Sequence, residues 1–331
     1  MKSRSPLFRV MSKTSFIFVF FFLSCGVEVA HKENISNENL PQEITTLNEK
    51  IIKNPQEAEL YYQRAKYYFE KKDFVLATAD INQSLKYDST KSNYYLLLSD
   101  LYFVQNKTSK SKESLERVLS LDSKNIDALL KLAELYFYVQ KHQQSIEYID
   151  KVLLIDQYVS KAYFLKGMNF KEMGDTARAI SSMQTAVEQD PQYYSAFIQL
   201  GILYASKKNP LALEYYQNAI KINSASLEAF YGKAKFYQDM NQWNKAVSAY
   251  EELLQIDPEY KSGLYNLGVI YLLHLKLYEK AINYFNQAIA SDPKYAEAYY
   301  ARATCYQLKG DKSKAAEDFK IAQKINPKLV Y

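Results

Sequence analysis

A 34-residue period runs from Ala58 to the C-terminus, and no other feature of the chain restricts its fold as severely. Its punctuation is Asp190-Pro191, Asp257-Pro258, Asp292-Pro293 and Asn326-Pro327, with successive prolines 67 (33 plus 34), 35 and 34 residues apart. Prolines at one phase of a helical pattern end each helix at the same place, because the ring removes a donor and clashes with the preceding turn. A unit of this length cannot bury its apolar face alone. It stacks on its neighbours into a solenoid.

Reading backwards from each proline gives eight units: 58–91, 92–125, 126–159, 160–193, 194–226, 227–260, 261–295 and 296–329. The eighth position is always small: Ala65, Ser99, Ala133, Gly167, Gly201, Ala234, Gly268 and Ala303. Three residues later stand Tyr68, Tyr102, Tyr136, Phe170, Tyr204, Tyr237, Tyr271 and Tyr306, so a ring and a hole share one helical face. This ring is expected to fill that hole. The second half of each unit repeats the small residue, from Ala77 in the first unit to Ala315 in the last, which predicts two close-packed helices per unit.

Ala298-Tyr299, Arg302-Ala303, Tyr306, Gly310-Asp311, Ala315, Phe319, Ala322 and Asn326-Pro327 resemble the tetratricopeptide repeat signature, and the likeness covers about four fifths of the chain. The resemblance implies an all-α, right-handed α-solenoid of eight tandem helix-turn-helix repeats. Residues 42–57, with Ile44, Leu47 and Ile51 on one stripe, read as an extra N-terminal capping helix. At the back, Gln323 stands where earlier units carry an apolar residue, which ends the stack or leaves a face for a dimer contact. Unit five is one residue short at Lys207-Lys208-Asn209-Pro210, and unit seven has one extra between His274 and Tyr278. The seventh position is basic in four units, Arg64, Lys166, Lys233 and Arg302, and is read as snorkelling over the apolar seam without a function.

The chain opens with Lys2, Arg4, Arg9 and Lys13, then the apolar run Phe16 to Leu23, then Ser24-Cys25. This is the pattern of a secretory signal, and the run is shorter than the roughly 20 residues that span a bilayer. Phe22-Leu23-Ser24-Cys25 resembles the lipobox of bacterial lipoproteins, with Phe22 where that family usually has leucine. The resemblance implies a signal over 1–24, lipidation of Cys25, a tether over 25–41 and residence in a bacterial envelope, at the outer membrane facing the periplasm. An ordinary thiol after an ordinary signal and an uncleaved anchor are the alternatives. Met11 is a second candidate start.

Cleavage before Cys25 leaves 42 minus 4 basic against 37 acidic residues, a balance of +1 instead of +5. A near-neutral chain gives no reason to expect nucleic acid, which requires a concentrated positive surface. The histidines His31, His142 and His274 share no ligand spacing, and Cys305 falls at a position expected to be buried. No metal, cofactor or enzymatic activity is expected.

The resemblance further implies that positions two, five, nine, twelve and thirteen of each first helix line a concave groove that receives a protein or peptide. Carried onto this chain, the candidates are Tyr62, Lys66 and Phe69 in unit one; Leu96, Asp100 and Phe103 in unit two; Leu130, Glu134 and Phe137 in unit three; and Phe164 and Met168 in unit four. The lysine and asparagine with which family members clamp a terminal carboxylate, at positions five and nine, are missing from every unit. What is left is an apolar, aromatic strip suited to a partner's hydrophobic segment, or to a permanent place in an envelope machine of the pilus or secretion type.

Overall fold

A computed structural model describes residues 41–329, and among these every regular element is an α-helix. One helix, α1 (Gln42–Lys53), precedes eight helical hairpins. They are α2 (Ala58–Glu70) and α3 (Phe74–Tyr87), α4 (Ser92–Val104) and α5 (Thr108–Leu121), α6 (Ile126–Tyr138) and α7 (His142–Ile155), and α8 (Ser160–Glu172) and α9 (Thr176–Gln189). The remaining four are α10 (Tyr194–Ser206) and α11 (Leu211–Ile222), α12 (Leu227–Asp239) and α13 (Trp243–Ile256), α14 (Lys261–Leu273) and α15 (Tyr278–Ser291), and α16 (Ala296–Leu308) and α17 (Lys312–Ile325). Contacts run between helices that are neighbours in sequence, and between the first helices of successive units, α2 with α4, α6 with α8, α10 with α12 and α14 with α16. That second set puts the first helices on the inside of the curve.

Two turn chemistries set the geometry. Between the helices of a unit the chain enters the left-handed region once, at Lys72, Asn106, Gln140, Gly174, Lys208, Asn241, Lys276 and Gly310. In the first unit the Asp73 amide then donates to the Tyr68 carbonyl at 2.8 Å, the closure of a Schellman motif. Between units, the residue after the second helix is Asp or Asn in all eight, and its side-chain oxygen accepts the amide two residues on. The acceptors are Asp88, Asp122, Asp156, Asp190, Asn223, Asp257, Asp292 and Asn326, at 2.8 to 3.2 Å. This Asx turn, present where proline is not, is the common punctuation of the array.

The filling of the small eighth position differs from expectation. The hole is occupied from the second helix: a Cβ on Gly167 would lie 2.6 Å from Met183 Cγ, and one on Gly201 2.5 Å from a Tyr216 ring carbon. The ring three residues after the hole packs elsewhere. In units three, five and seven it stacks on a second-helix tyrosine, Tyr136 on Tyr148, Tyr204 on Tyr215 and Tyr271 on Tyr284, with centroids 5.2 to 5.5 Å apart and planes within 15°. Offset stacking of this kind adds about 0.5–1.5 kcal/mol per pair beyond burial.

The basic seventh positions are ion-paired instead of snorkelling alone. Arg64 grips buried Asp80 with two parallel bonds of 2.6 Å and reaches back 2.7 Å to Asn48 on α1. Arg302 does the same with Asp318, at 2.7 Å twice, and Asn286 at 2.6 Å. Lys166 pairs with Asp150 at 2.7 Å and Lys233 with Glu252 at 2.6 Å. Because Asn48 and Asn286 stand in the same relation to their arginines, α1 occupies the place of a second helix of a preceding unit. Its apolar stripe, Ile44 and Leu47, is buried with Leu60 against α2.

Candidate functional site

The inner stripe is continuous over units one to four because each first helix presents the same positions to the same side. Tyr62 is half-buried, its ring 4.9 Å from that of Tyr94 and 5.9 Å beneath the Lys66 ammonium, which is exposed. Lys66 also rims an open cleft of about 560 Å³ between α1 and α2, shared with Glu43, Lys50 and Glu70. The three phenylalanines at position twelve are half-buried, each held by a different partner. Phe69 meets Phe74 at 5.8 Å, Phe103 meets Tyr138 edge-on at 5.3 Å, and Phe137 meets His142 at 5.7 Å.

Leu96 is half-buried and rests on the cluster around Leu115 and Leu132. Leu130 is buried, at 6% exposure, and leaves the list of surface residues for the core. It packs with Ile149 and Val152 of its own unit and with Ala162, which holds in unit four the place that Tyr94 holds beside Tyr62. Phe164 stands perpendicular to Tyr193, the residue just before α10, at 5.1 Å. Met168 is half-buried against the Phe170 and Leu200 cluster. Cys25 lies outside the described residues.

The two acids of the strip are neutralised across unit boundaries. Asp100 accepts Lys131 Nζ at 2.6 Å and Glu134 accepts Lys161 Nζ at 2.6 Å, each lysine coming from the following unit. Partly exposed pairs of this sort contribute about 0.2–1 kcal/mol, so their larger consequence here is to cancel the two acidic charges of the strip, while Lys66 at its start keeps its own. Burial pushes the phenol of Tyr193 up, with Glu134 and Asp190 adding to the effect. Further along, burial pushes Tyr265 up to about 12. The groove's tyrosines with resolved shifts therefore stay neutral donors at ordinary pH.

Position thirteen, expected to line the groove but given no candidate residues above, carries the most exposed apolar side chains of the strip. Val104 and Tyr138, adjacent to Phe103 and Phe137, are 43% and 57% exposed. Leu273 and Leu308 repeat the feature in units seven and eight, while units four to six have Glu172, Ser206 and Asp239 there. The signal was available as an apolar residue at the last helical position, beyond the ring that packs.

Outside the groove, Asn169 is fully buried and satisfied. It donates to Ser145 Oγ and to the Leu165 carbonyl, both at 2.9 Å, and its oxygen meets His142 Nδ1 at 3.1 Å. Cys305 is fully buried, its thiol pushed up to about 12 by burial. Among the described residues no group of three or more His, Cys, Asp or Glu could hold a metal ion, and no helix is long and apolar enough to cross a membrane.

Family models match four segments. Residues 276–329 and 160–193 match models described as tetratricopeptide repeat, 236–274 one described as TPR repeat, and 61–147 the fimbrial assembly protein FimV N-terminal TPR region. Over 104 residues the chain is 28% identical to a UDP-N-acetylglucosamine–peptide N-acetylglucosaminyltransferase of Giardia intestinalis, a match that covers 31% of this chain and 7% of that protein. Among solved structures, the C-terminal part of a TPR repeat-containing protein from Cytophaga hutchinsonii superposes with a TM-score of 0.62 at 19% identity, over 72% of this chain and 96% of that one. Pseudomonas aeruginosa pilF gives 0.53 at 13%, over 62% and 93%. At these identities the structural likeness is one of fold.

Proposed function

Since the chain is a tetratricopeptide-repeat protein, we propose that it is an interaction scaffold whose inner groove, over units one to four, takes an uncharged apolar segment of a partner protein. One observation carries this reading. Val104 and Tyr138 expose apolar surface beside half-buried Phe103 and Phe137, while Asp100 and Glu134 already have lysine partners. A segment entering such a strip gains by burying apolar area, about 25 cal/mol per Å². A charged tail would gain little from charges already paired.

The scaffold is tethered, on this proposal, through an acylated Cys25 to a bacterial envelope membrane, at the outer membrane facing the periplasm. The support is the sequence of residues 1 to 25. Metabolic labelling with a fatty acid tests it, and a mature protein without acyl chains defeats it. A second reading, a subunit or assembly factor of a pilus-type machine, is favoured by the FimV region match over residues 61–147, which falls in the first three of the four units that carry the strip. Co-purification in fixed stoichiometry supports that reading, and exchangeable binding supports the first.

Crosslinking in the native cell, followed by identification of neighbours, is the test of the groove. Phe103→Ala with Tyr138→Ala is expected to remove the captured partner from a chain that stays folded. Undiminished capture by that folded variant would sink the groove assignment.

A further inference from the structure

The second helices end in a row along the inter-unit edge of the solenoid, so equivalent positions can be compared unit by unit. Ile52 on α1, Lys86, Ser120 and Leu154 are one such set, and Lys53, Tyr87, Leu121 and Ile155 the next. Leu154 is 87% exposed, Ile52 79%, and Tyr158, in the turn after α7, 67%; Tyr87, Leu121 and Ile155 are exposed beside them. Units four to eight carry Glu188, Lys221, Gln255, Ala290 and Lys324 at the place of Leu154, and Gln192, Glu259 and Lys294 among the equivalents of Tyr158. At the places of Leu154 and Tyr158 the large apolar side chains belong to the N-terminal half, while the adjoining set stays partly apolar further on, with Ile222, Ile256 and Ile325 half-buried.

Lysines are interleaved with it. Lys53, Lys91 and Lys124 are exposed and have no ion-pair partner among the described residues, and Lys86 Nζ sits 5.8 Å from the Tyr87 ring. The carboxylates of the same turns, Asp88, Asp122 and Asp156, are bonded to backbone amides.

We propose that this edge is a peripheral docking surface for an anionic bilayer. The exposed apolar side chains stand on successive helix ends or in the turn that follows. Isolated apolar and tyrosine side chains with lysines between them suit a lipid headgroup region, which needs no matching shape. The chain from Cys25 to Pro41 spans at most about 55 Å, so an acylated Cys25 would keep the bilayer within reach of the edge. The identity of the occupant rests on the envelope reading above; the exposure of the edge does not.

The experiment uses the full chain with Cys25→Ala and Trp243→Phe, to which Tyr158→Trp, or Lys294→Trp at the equivalent position of unit seven, is added. Vesicles of phosphatidylethanolamine and phosphatidylglycerol (3:1) with brominated acyl chains are the probe. The expected result is a blue shift and bromine quenching for Tyr158→Trp, no change for Lys294→Trp, and loss of the response when Ile52→Glu and Leu154→Glu are added, with helicity retained by circular dichroism. Equal responses at both sites, or none at Tyr158→Trp, overturn the proposal. A blue shift without vesicles that grows with protein concentration also overturns it, in favour of a second copy of the chain. Absence of acylation at Cys25 would defeat the anchor and leave this measurement standing.

Discussion

Phe285 on α15 lies directly over Gly268 on α14, so close that a β-carbon on the glycine would overlap the ring. The relation recurs at two other first-helix glycines, whereas units six and eight set Ala234 and Ala303 in clusters with Tyr250 and Phe319. Gly167 faces Met183 and Gly201 faces Tyr216, while Ala65, in unit one, packs in a cluster with the smaller Ile81. Gly268→Ala is therefore expected to destabilise the array by about 1–3 kcal/mol, the cost of overpacking a filled site. Combining it with Phe285→Leu should recover part of that loss, measured by urea unfolding. Additive losses would show that the two sites do not share one space.

Six of the eight inter-helix turns hold a non-glycine residue at positive φ, Gln140 at 60° among them. An L residue there carries steric cost that glycine avoids. Gln140→Gly is expected to raise stability by about 0.5–1 kcal/mol, net of the extra entropy glycine adds to the unfolded chain. A lower melting temperature would mean that the Gln140 side chain contributes something the backbone argument omits.

Arg64 ties α1, α2 and α3 together through Asn48 and Asp80. Arg64→Ala leaves the Asp80 carboxylate buried without its partner, and is expected to cost about 2–3 kcal/mol. Hydrogen exchange should show the loss concentrated in residues 42–53. Uniform loss across all eight units would contradict a local clamp.

The rings of Trp243 and His274 stack 3.5 Å apart, 9° from parallel, and burial holds the His274 imidazole below its ordinary range. The unfolded chain then binds a proton before the folded one does. Stability tied to His274 is full above about pH 6.5, the unfolded value, and is lost progressively as the pH falls toward the folded value. Trp243, the single tryptophan, reports on the site. Its emission is expected to change on mild acidification, and His274→Phe should flatten that titration.

The fold was legible because the repeat states it eight times, yet part of the logic stood in positions that a motif reading passes over. Proline marks four inter-unit turns, but the Asx residue that closes the turn is present in all eight, so the chemistry lay one residue before the visible signal. Arg64 with Asp80 and Arg302 with Asp318 share a spacing of 16, and Leu132, Leu200 and Leu267 accompany Tyr148, Tyr215 and Tyr284 at those same two positions. That pairing is a packing rule between two helices, visible only when both are aligned together. The groove was less legible. Whether a position-five side chain reaches solvent depends on what the next unit lays over it, as the contrast of Tyr62 and Leu130 makes plain.

A linear stack has two weak places, its extremities, where a unit is held from one side only and breathing begins. This chain fastens both with the same guanidinium fork, Arg64 to Asp80 and Arg302 to Asp318, each reaching across to an asparagine of the adjoining unit. Fraying at either extremity must therefore break a largely buried ion pair as well as separate a packed face, so the forks slow the step at which a stack ordinarily starts to unravel.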